Sequence, residues 1–222
     1  MISLKKLGFG EESPSEVIMT TFNPDGSFHA SVIGVKAHGA SGVSLKVFTD
    51  TVTFYNLSSS RAAVINITND VELLANLALR GLLNFDDSTL RFKSSKCVNA
   101  PRLENADAFV EIEVESLRKT KIRDKIGESE AAYFIARVKC IDLQKSDAFA
   151  IRRSESLAIE SAVLATRILV AMEKGKEKAA KDLFLEIVGC KKKCDLSGSH
   201  KNDLRLITRI VESLKGRFGW RE

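Results

Sequence analysis

Within the stretch Phe109–Glu115, apolar and acidic residues alternate without a break from Val110 onward. Val110, Ile112 and Val114 fall on one parity, and Glu111, Glu113 and Glu115 on the other. A period of two puts each set on its own face of an extended strand, and no helix gathers such a pattern onto one side. The stretch Ala132–Leu143 alternates in the same way, with Phe134, Ala136, Val138 and Cys140 on one parity and Arg137 and Lys139 on the other. Acids on one strand and bases on the next suit antiparallel neighbours whose polar faces meet across the ladder. Cys140 reads as a core residue on this pattern.

The rest of the chain extends the sheet and then abandons it. Glu16–Phe22 is an apolar run containing threonines, and Asn23-Pro24-Asp25-Gly26 is a turn. Phe28–Lys36 resumes as strand, so the pair reads as a hairpin. Residues 39–42, Gly-Ala-Ser-Gly, make a second turn before a strand at Ser44–Phe48. Asp50-Thr51-Val52-Thr53 offers an N-cap for a short helix through Leu57. Ala62–Thr68 is almost continuously apolar, which implies a strand buried on both faces. Val71–Leu83 reads as helix, and Asn84–Ala100 as a long loop. Helices are expected at Glu155–Met172 and at Lys176–Val188, with Gly189 as a C-terminal cap. A last helix follows Asn202 or Asp203, with Leu204, Ile207, Val211 and Leu214 on one face. Six strands followed by three helices is an α+β order, and hairpin connections favour an antiparallel β-barrel. Residues 1–146 are expected to form the barrel and residues 147–222 a three-helix region.

Composition narrows the classes. With 44% hydrophobic and 28% charged residues over 222 positions, the chain has the make-up of a globular domain. Its longest apolar candidate for a membrane span, 162–172, is interrupted by Thr166 and Arg167. The first residues lack the apolar core of a secretory signal, so a cytoplasmic location is expected. Residues 1–146 hold 18 Lys/Arg and 18 Asp/Glu, so the net charge of +5 sits in residues 147–222, with 16 and 11. The lysines there alternate with acids and lack interleaved aromatics, which reads as a solvated helical face with no nucleic-acid partner. Cys190 and Cys194 lie around three lysines in a C-x3-C spacing without a second pair, so no metal site is expected.

No glycine-rich phosphate loop, nucleophile elbow or dinucleotide fingerprint occurs, and no catalytic residue is assigned. His29, His38 and His200 are scattered and read as surface or strand-end residues. One segment concentrates hydroxyls and amides: Thr20, Thr21, Ser31, Thr49, Thr51, Thr53, Asn56, Asn66 and Thr68. Thr51 and Thr53 fall where strand passes into helix, and a helix start attracts an anion through its free N–H groups and its dipole. Arg61 would supply charge to a phosphate held there. Ordinary capping, with threonines in strands, accounts for the same residues equally well.

The ordered set Glu16-Val-Ile-Met-Thr-Thr21, Pro24-Asp-Gly26, Ala30-Ser-Val-Ile-Gly-Val35, Thr51-Val-Thr-Phe-Tyr-Asn-Leu57 and Val64-Ile-Asn-Ile-Thr-Asn-Asp70 resembles the family catalogued as domain of unknown function 447. Its members are similar to flavin-reductase-like, FMN-binding split barrels. The resemblance continues through Asn99–Glu111 and into Ala158–Arg167, and the chain carries Arg152-Arg153 where the family pattern has Asn-Arg. It implies an antiparallel six-stranded split β-barrel with a C-terminal helical region, binding FMN at a homodimer interface. On that resemblance, Ser31, Val32, Ile33 and Gly34 would run along the isoalloxazine. Thr51 and Thr53 would hold the phosphate, supported by Asn56, and Thr20 and Thr21 would reach the ring or ribityl chain. The implied activity is a flavin-dependent oxidoreductase with a nicotinamide or other small-molecule redox partner. A non-catalytic FMN carrier or structural flavoprotein is the alternative.

Overall fold

The computed structural model describes residues 3–123, 128–197 and 201–220. His200 therefore lies outside the described residues. The chain divides into two compact units, Met1–Glu11 with Ser15–Ile151, and Glu12–Pro14 with Arg152–Glu222.

The first unit is a barrel. Its strands are β1 (Ser15–Phe22), β2 (Phe28–His38), β3 (Gly42–Phe48), β4 (Ala62–Ile67), β7 (Ala108–Arg123) and β8 (Glu128–Leu143), with the short strands β5 (Phe92–Ser94) and β6 (Pro101–Leu103) between. The six long strands run in the order β2-β3-β8-β7-β4-β1, and β1 pairs back onto β2 to close the ring. The paired neighbours around it are antiparallel. β9 (Ile151–Arg152), at the unit boundary, is a seventh strand of this sheet.

Alternation sorts the side chains. Val17, Met19, Val35, Leu45, Ile65, Val110, Ile112 and Phe134 fill the interior. Side chains of this kind stabilise by about 1.5–3 kcal/mol each when fully buried. Ile18, Ala30, Val64 and Phe109 face outward, yet they are buried with Leu74 and Leu77 of α2 (Val71–Ala78), Leu103 of β6 and Ala100 just before it. The apolar run of β4, broken only by Asn66, follows from this, since both of its faces are covered. α1 (Val52–Ser60) sends Phe54 and Leu57 into the barrel core. The β1–β2 turn places Gly26 at φ +81°, where a side chain would be strained. At Gly42 a Cβ would meet the His38 carbonyl oxygen at 2.7 Å.

Three expectations are corrected here. The stretch 84–100 is not one long loop, because Phe92–Ser94 pairs with Pro101–Leu103 as a separate two-stranded ribbon. The Val71–Leu83 helix breaks at Leu79 into α2 and α3 (Arg80–Leu83). Cys140 is not in the barrel core, because a bulge between Glu111 and Ile112 shifts the register so that Cys140 pairs with Glu111 on the outer face. The charge pairing of these strands holds nonetheless, through Lys139 to Glu113 at 3.0 Å and Arg137 to Glu115 at 2.6 Å.

The second unit contains α4 (Arg153–Glu173), α5 (Glu177–Ser197) and α6 (Lys201–Phe218). Ile168, Phe184, Ile187, Cys194, Ile207, Val211 and Trp220 share its core. Gly189 does not cap α5. The helix runs through it because Cys190 and Cys194, one turn apart, are both buried on the same side. No described helix is long and apolar enough to cross a membrane.

Candidate functional site at the barrel mouth

β2 is bonded on both sides for only part of its length. It pairs with β1 from Phe28 to Val35, but with β3 only from Val35 to His38. Along Phe28–Gly34 the edge turned away from β1 has no strand partner among the described residues. Backbone N–H and C=O groups on such an edge form a template for another hydrogen-bonding group. One of these residues is engaged by a side chain, for Arg80 Nη2 donates to the Ala30 carbonyl at 2.6 Å while Arg80 also pairs with Asp87.

The inward parity of β2 brings His29 and Ser31 to the start of α1. The Thr53 hydroxyl lies 2.8 Å from Ser31 Oγ and 3.0 Å from His29 Nε2, and Thr53 is buried. Burial, and then the Arg80 guanidinium, push the His29 pKa down, while Asp87 opposes them. The neutral ring offers one donor and one acceptor, and so does the hydroxyl chain it joins. A second set adjoins the first: Asn56 Nδ2 donates to Thr21 Oγ1 and to Asn23 Oδ1, each at 2.9 Å. Thr21 and His29 are register partners across β1 and β2, which ties the two sets together.

Thr51 is the N-cap of α1. Its hydroxyl accepts from Phe54 N at 3.2 Å and donates to the Phe48 carbonyl at 2.8 Å. The first N–H groups of the helix, at Val52 and Thr53, have no intrahelical carbonyl to reach. Exposed apolar side chains stand on the same segment, namely Phe48, Val52 and Tyr55. Phe28, also exposed, stacks on Phe92 with ring centroids 4.6 Å apart.

Of the residues expected from sequence, Thr21, Ser31, Thr51, Thr53 and Asn56 come together here. Ile33 points into the barrel core, and Val32 packs on the outer cluster, so these two and the half-buried Gly34 offer their backbone only. Thr20 lies elsewhere. It has the opposite parity to Thr21, and on the outer face its hydroxyl accepts from Asn66 Nδ2 at 2.9 Å and donates to the Pro101 carbonyl. Arg61 is also removed from Thr51, at the far end of α1, where its guanidinium donates to the Val114 and Glu115 carbonyls at 2.7–3.0 Å. These bonds hold Arg61 in the left-handed conformation that ends the helix. His29, Asn23 and Arg80 were missed. The first two were within reach of sequence reasoning, because the Asn23–Gly26 turn fixes a register that pairs His29 with Thr21. Arg80 carries no such signal.

The family model described as protein of unknown function (DUF447), N-terminal domain, matches residues 15–144. The chain belongs to the DUF447 family. Among solved structures, this DUF447 protein is similar to an FMN-bound protein of Methanosarcina mazei, at 21% identity over 95% of this chain and 99% of that one, with a TM-score of 0.48. It is also similar to nitrilotriacetate monooxygenase component B from Bacillus cereus, at 16% identity over 70% and 83% of the two chains, with a TM-score of 0.48. The styrene monooxygenase flavin reductase of Pseudomonas putida S12 matches at 15% identity over 68% and 95%, with a TM-score of 0.47. At these scores the likenesses add nothing to the barrel already visible in the chain itself.

Proposed function

We propose that the barrel binds FMN and acts as a flavin-dependent oxidoreductase of the flavin-reductase type. The observation that carries the reading is the one-sided stretch of β2, Phe28–Gly34, which leads to the start of α1. A flavin needs hydrogen bonds to the polar edge of its ring, an apolar wall for its flat faces, and donors for its phosphate. The backbone of Ser31–Gly34 supplies the first, and Phe48, Val52 and Tyr55 the second. The N–H groups of Val52 and Thr53 supply the third, joined by the Thr53 hydroxyl and by the Thr51 hydroxyl once it exchanges its bond to the Phe48 carbonyl for the phosphate. The donor set thus fits the group in both its apolar and its anionic parts.

When bound, FMN supplies the electron-accepting chemistry, and the protein supplies binding, orientation and electrostatics. Thr53 is held by Ser31 and His29, so its position is set before a ligand arrives. Asn56 holds Thr21 and Asn23 in the same way. Arg80, paired with Asp87 and bonded to the Ala30 carbonyl, supports the reading by fixing the β2 edge close to His29. The redox partner is a reduced nicotinamide in this proposal. A homodimer belongs to the same reading, because Ile159, Val163 and Val170 leave an exposed apolar stripe along α4.

Colour is the first test. The purified chain should carry, or take up, a yellow chromophore that is released as FMN, and the loaded protein should oxidise NADH or NADPH. Uptake of FMN with no turnover of either nicotinamide would leave a flavin carrier, and failure to take up FMN or riboflavin would reject the reading.

A further inference from the structure

On the outer face of the barrel, Glu111 and Cys140 are partners across β7 and β8. The loop between β5 and β6 folds down onto them. Its backbone N–H groups at Lys96, Cys97 and Val98 all donate to the Glu111 carboxylate. This clamp sets Cys97 beside Cys140, so that the two sulfurs and a Glu111 oxygen lie within 4.8 Å of one another. Cys97 is exposed and Cys140 is half-buried.

A soft cation would use the same three atoms, but the site disfavours one. The Glu111 oxygens already accept five N–H donors, three from the loop and two from Arg102. A carboxylate has about four lone-pair sites, so none remains free for a metal. The Arg102 guanidinium against it would also repel the ion. What remains is a facing pair of thiols, one of them open to solvent.

We propose that Cys97 and Cys140 close to a reversible disulfide by exchange with a low-molecular-weight disulfide such as oxidised glutathione. The Cys97 thiolate attacks one sulfur of the oxidant, forming a mixed disulfide and releasing one small thiolate. The Cys140 sulfur then attacks the Cys97 sulfur, the protein disulfide forms, and a second small thiolate leaves. Two electrons pass from the protein to the oxidant, and the two thiol protons end on the released thiols. The order follows from exposure. It also follows from acidity, because burial, the Cys97 thiol and the Glu111 carboxylate push the Cys140 thiol up to about 12, which keeps it protonated during the first step. The inference is independent of flavin binding.

The sequence makes the test direct, because Lys96 and Lys139 immediately precede the two cysteines. The full chain is treated with oxidised glutathione, alkylated without reduction, digested with trypsin and weighed. The expected product is peptide 97–102 joined to peptide 140–145, and dithiothreitol should separate them. In C140S, glutathione should stay on Cys97 instead, and in C97S neither product should form. Wild-type protein that keeps glutathione on Cys97 without a cross-link would overturn the proposal. So would a cross-link involving Cys190 or Cys194, or a stoichiometric zinc ion that protects both thiols from alkylation.

Discussion

Two polar clusters sit on one barrel and are built by opposite rules. On the outer face Glu111, with no exposed surface, meets Arg102, itself 2% exposed, and Arg102 reaches on to Asp142 at 2.6 Å. Every strong acceptor there is saturated by a charge or a backbone N–H. At the mouth the groups are neutral: two threonines, a serine, an uncharged histidine and two asparagines. They stand beside a strand edge that has no strand partner among the described residues, and beside a set of exposed aromatic rings. A saturated buried charge network has nothing left to offer a ligand. Neutral, pre-positioned donors at an open edge cost little to desolvate and remain able to bind.

The contrast breaks first in stability. Replacing Glu111 by Ala strands Arg102 without its main partner, and breaking a buried pair from one side costs about 3–5 kcal/mol. Chemical denaturation should show this loss, with FMN affinity of the surviving folded fraction unchanged. The same carboxyl carries an acid signature. Burial alone would raise its pKa, but the Lys96 and Cys97 N–H groups and Arg102 overcome this and hold it below the usual range. A depressed folded pKa contributes stability above the unfolded value of about 4.3, and that stability is lost as pH falls through the folded pKa. Wild-type stability should therefore fall steeply below about pH 4, and Glu111→Ala should flatten that slope. Equal slopes would remove Glu111 from the account.

The second expected effect is on binding. Thr51→Val with Thr53→Val should weaken FMN by about 1–3 kcal/mol, or roughly 5–150-fold in Kd, and riboflavin by much less. Equal losses for both ligands by fluorescence titration would mean that the threonines do not serve the phosphate.

The elements easiest to read in the sequence were those whose pattern is local. The alternation at Phe109–Glu115 exposed β7, and the Asn23–Gly26 turn exposed the first hairpin. Thr51 as a cap needed only its place before a helix. What escaped depends on contacts distant in sequence. The bulge that turns Cys140 out of the core arises from pairing across β7 and β8, and no residue at 138–140 signals it. Glu111 looked like one of three equivalent solvent-facing acids. Only the 96–98 loop and Arg102, folded over it, make it different from Glu113 and Glu115. Adjacent threonines of one strand must face opposite ways, so Thr20 and Thr21 could not share a site. That much was legible from the period alone.

The third effect is a pH dependence at the mouth. The His29 pKa is lowered, so the unfolded chain binds its proton more readily than the folded one. The contribution of the neutral ring is fully present above the unfolded value of about 6.5 and declines as pH falls toward the folded pKa. His29→Asn should remove the part of the stability slope that lies just below pH 6.5 and leave the Glu111 slope in place. A wild-type slope unchanged by the substitution would show that the imidazole does not feel its surroundings.

The smallest effect sharpens the comparison from a third side. Lys139 and Glu113 form a 3.0 Å ion pair on the same two strands as Glu111, but both side chains are well exposed. Water screens such a pair, and holding two long side chains costs entropy, so pairs of this kind are worth about 0–1 kcal/mol. Lys139→Ala should shift the denaturation midpoint little, and moderate salt should erase the shift. The Glu111→Ala loss should survive the same salt, because its partners are dry. If the two substitutions cost the same, or both effects vanish with salt, then burial does not separate these carboxylates and the contrast between the outer wall and the mouth fails with it.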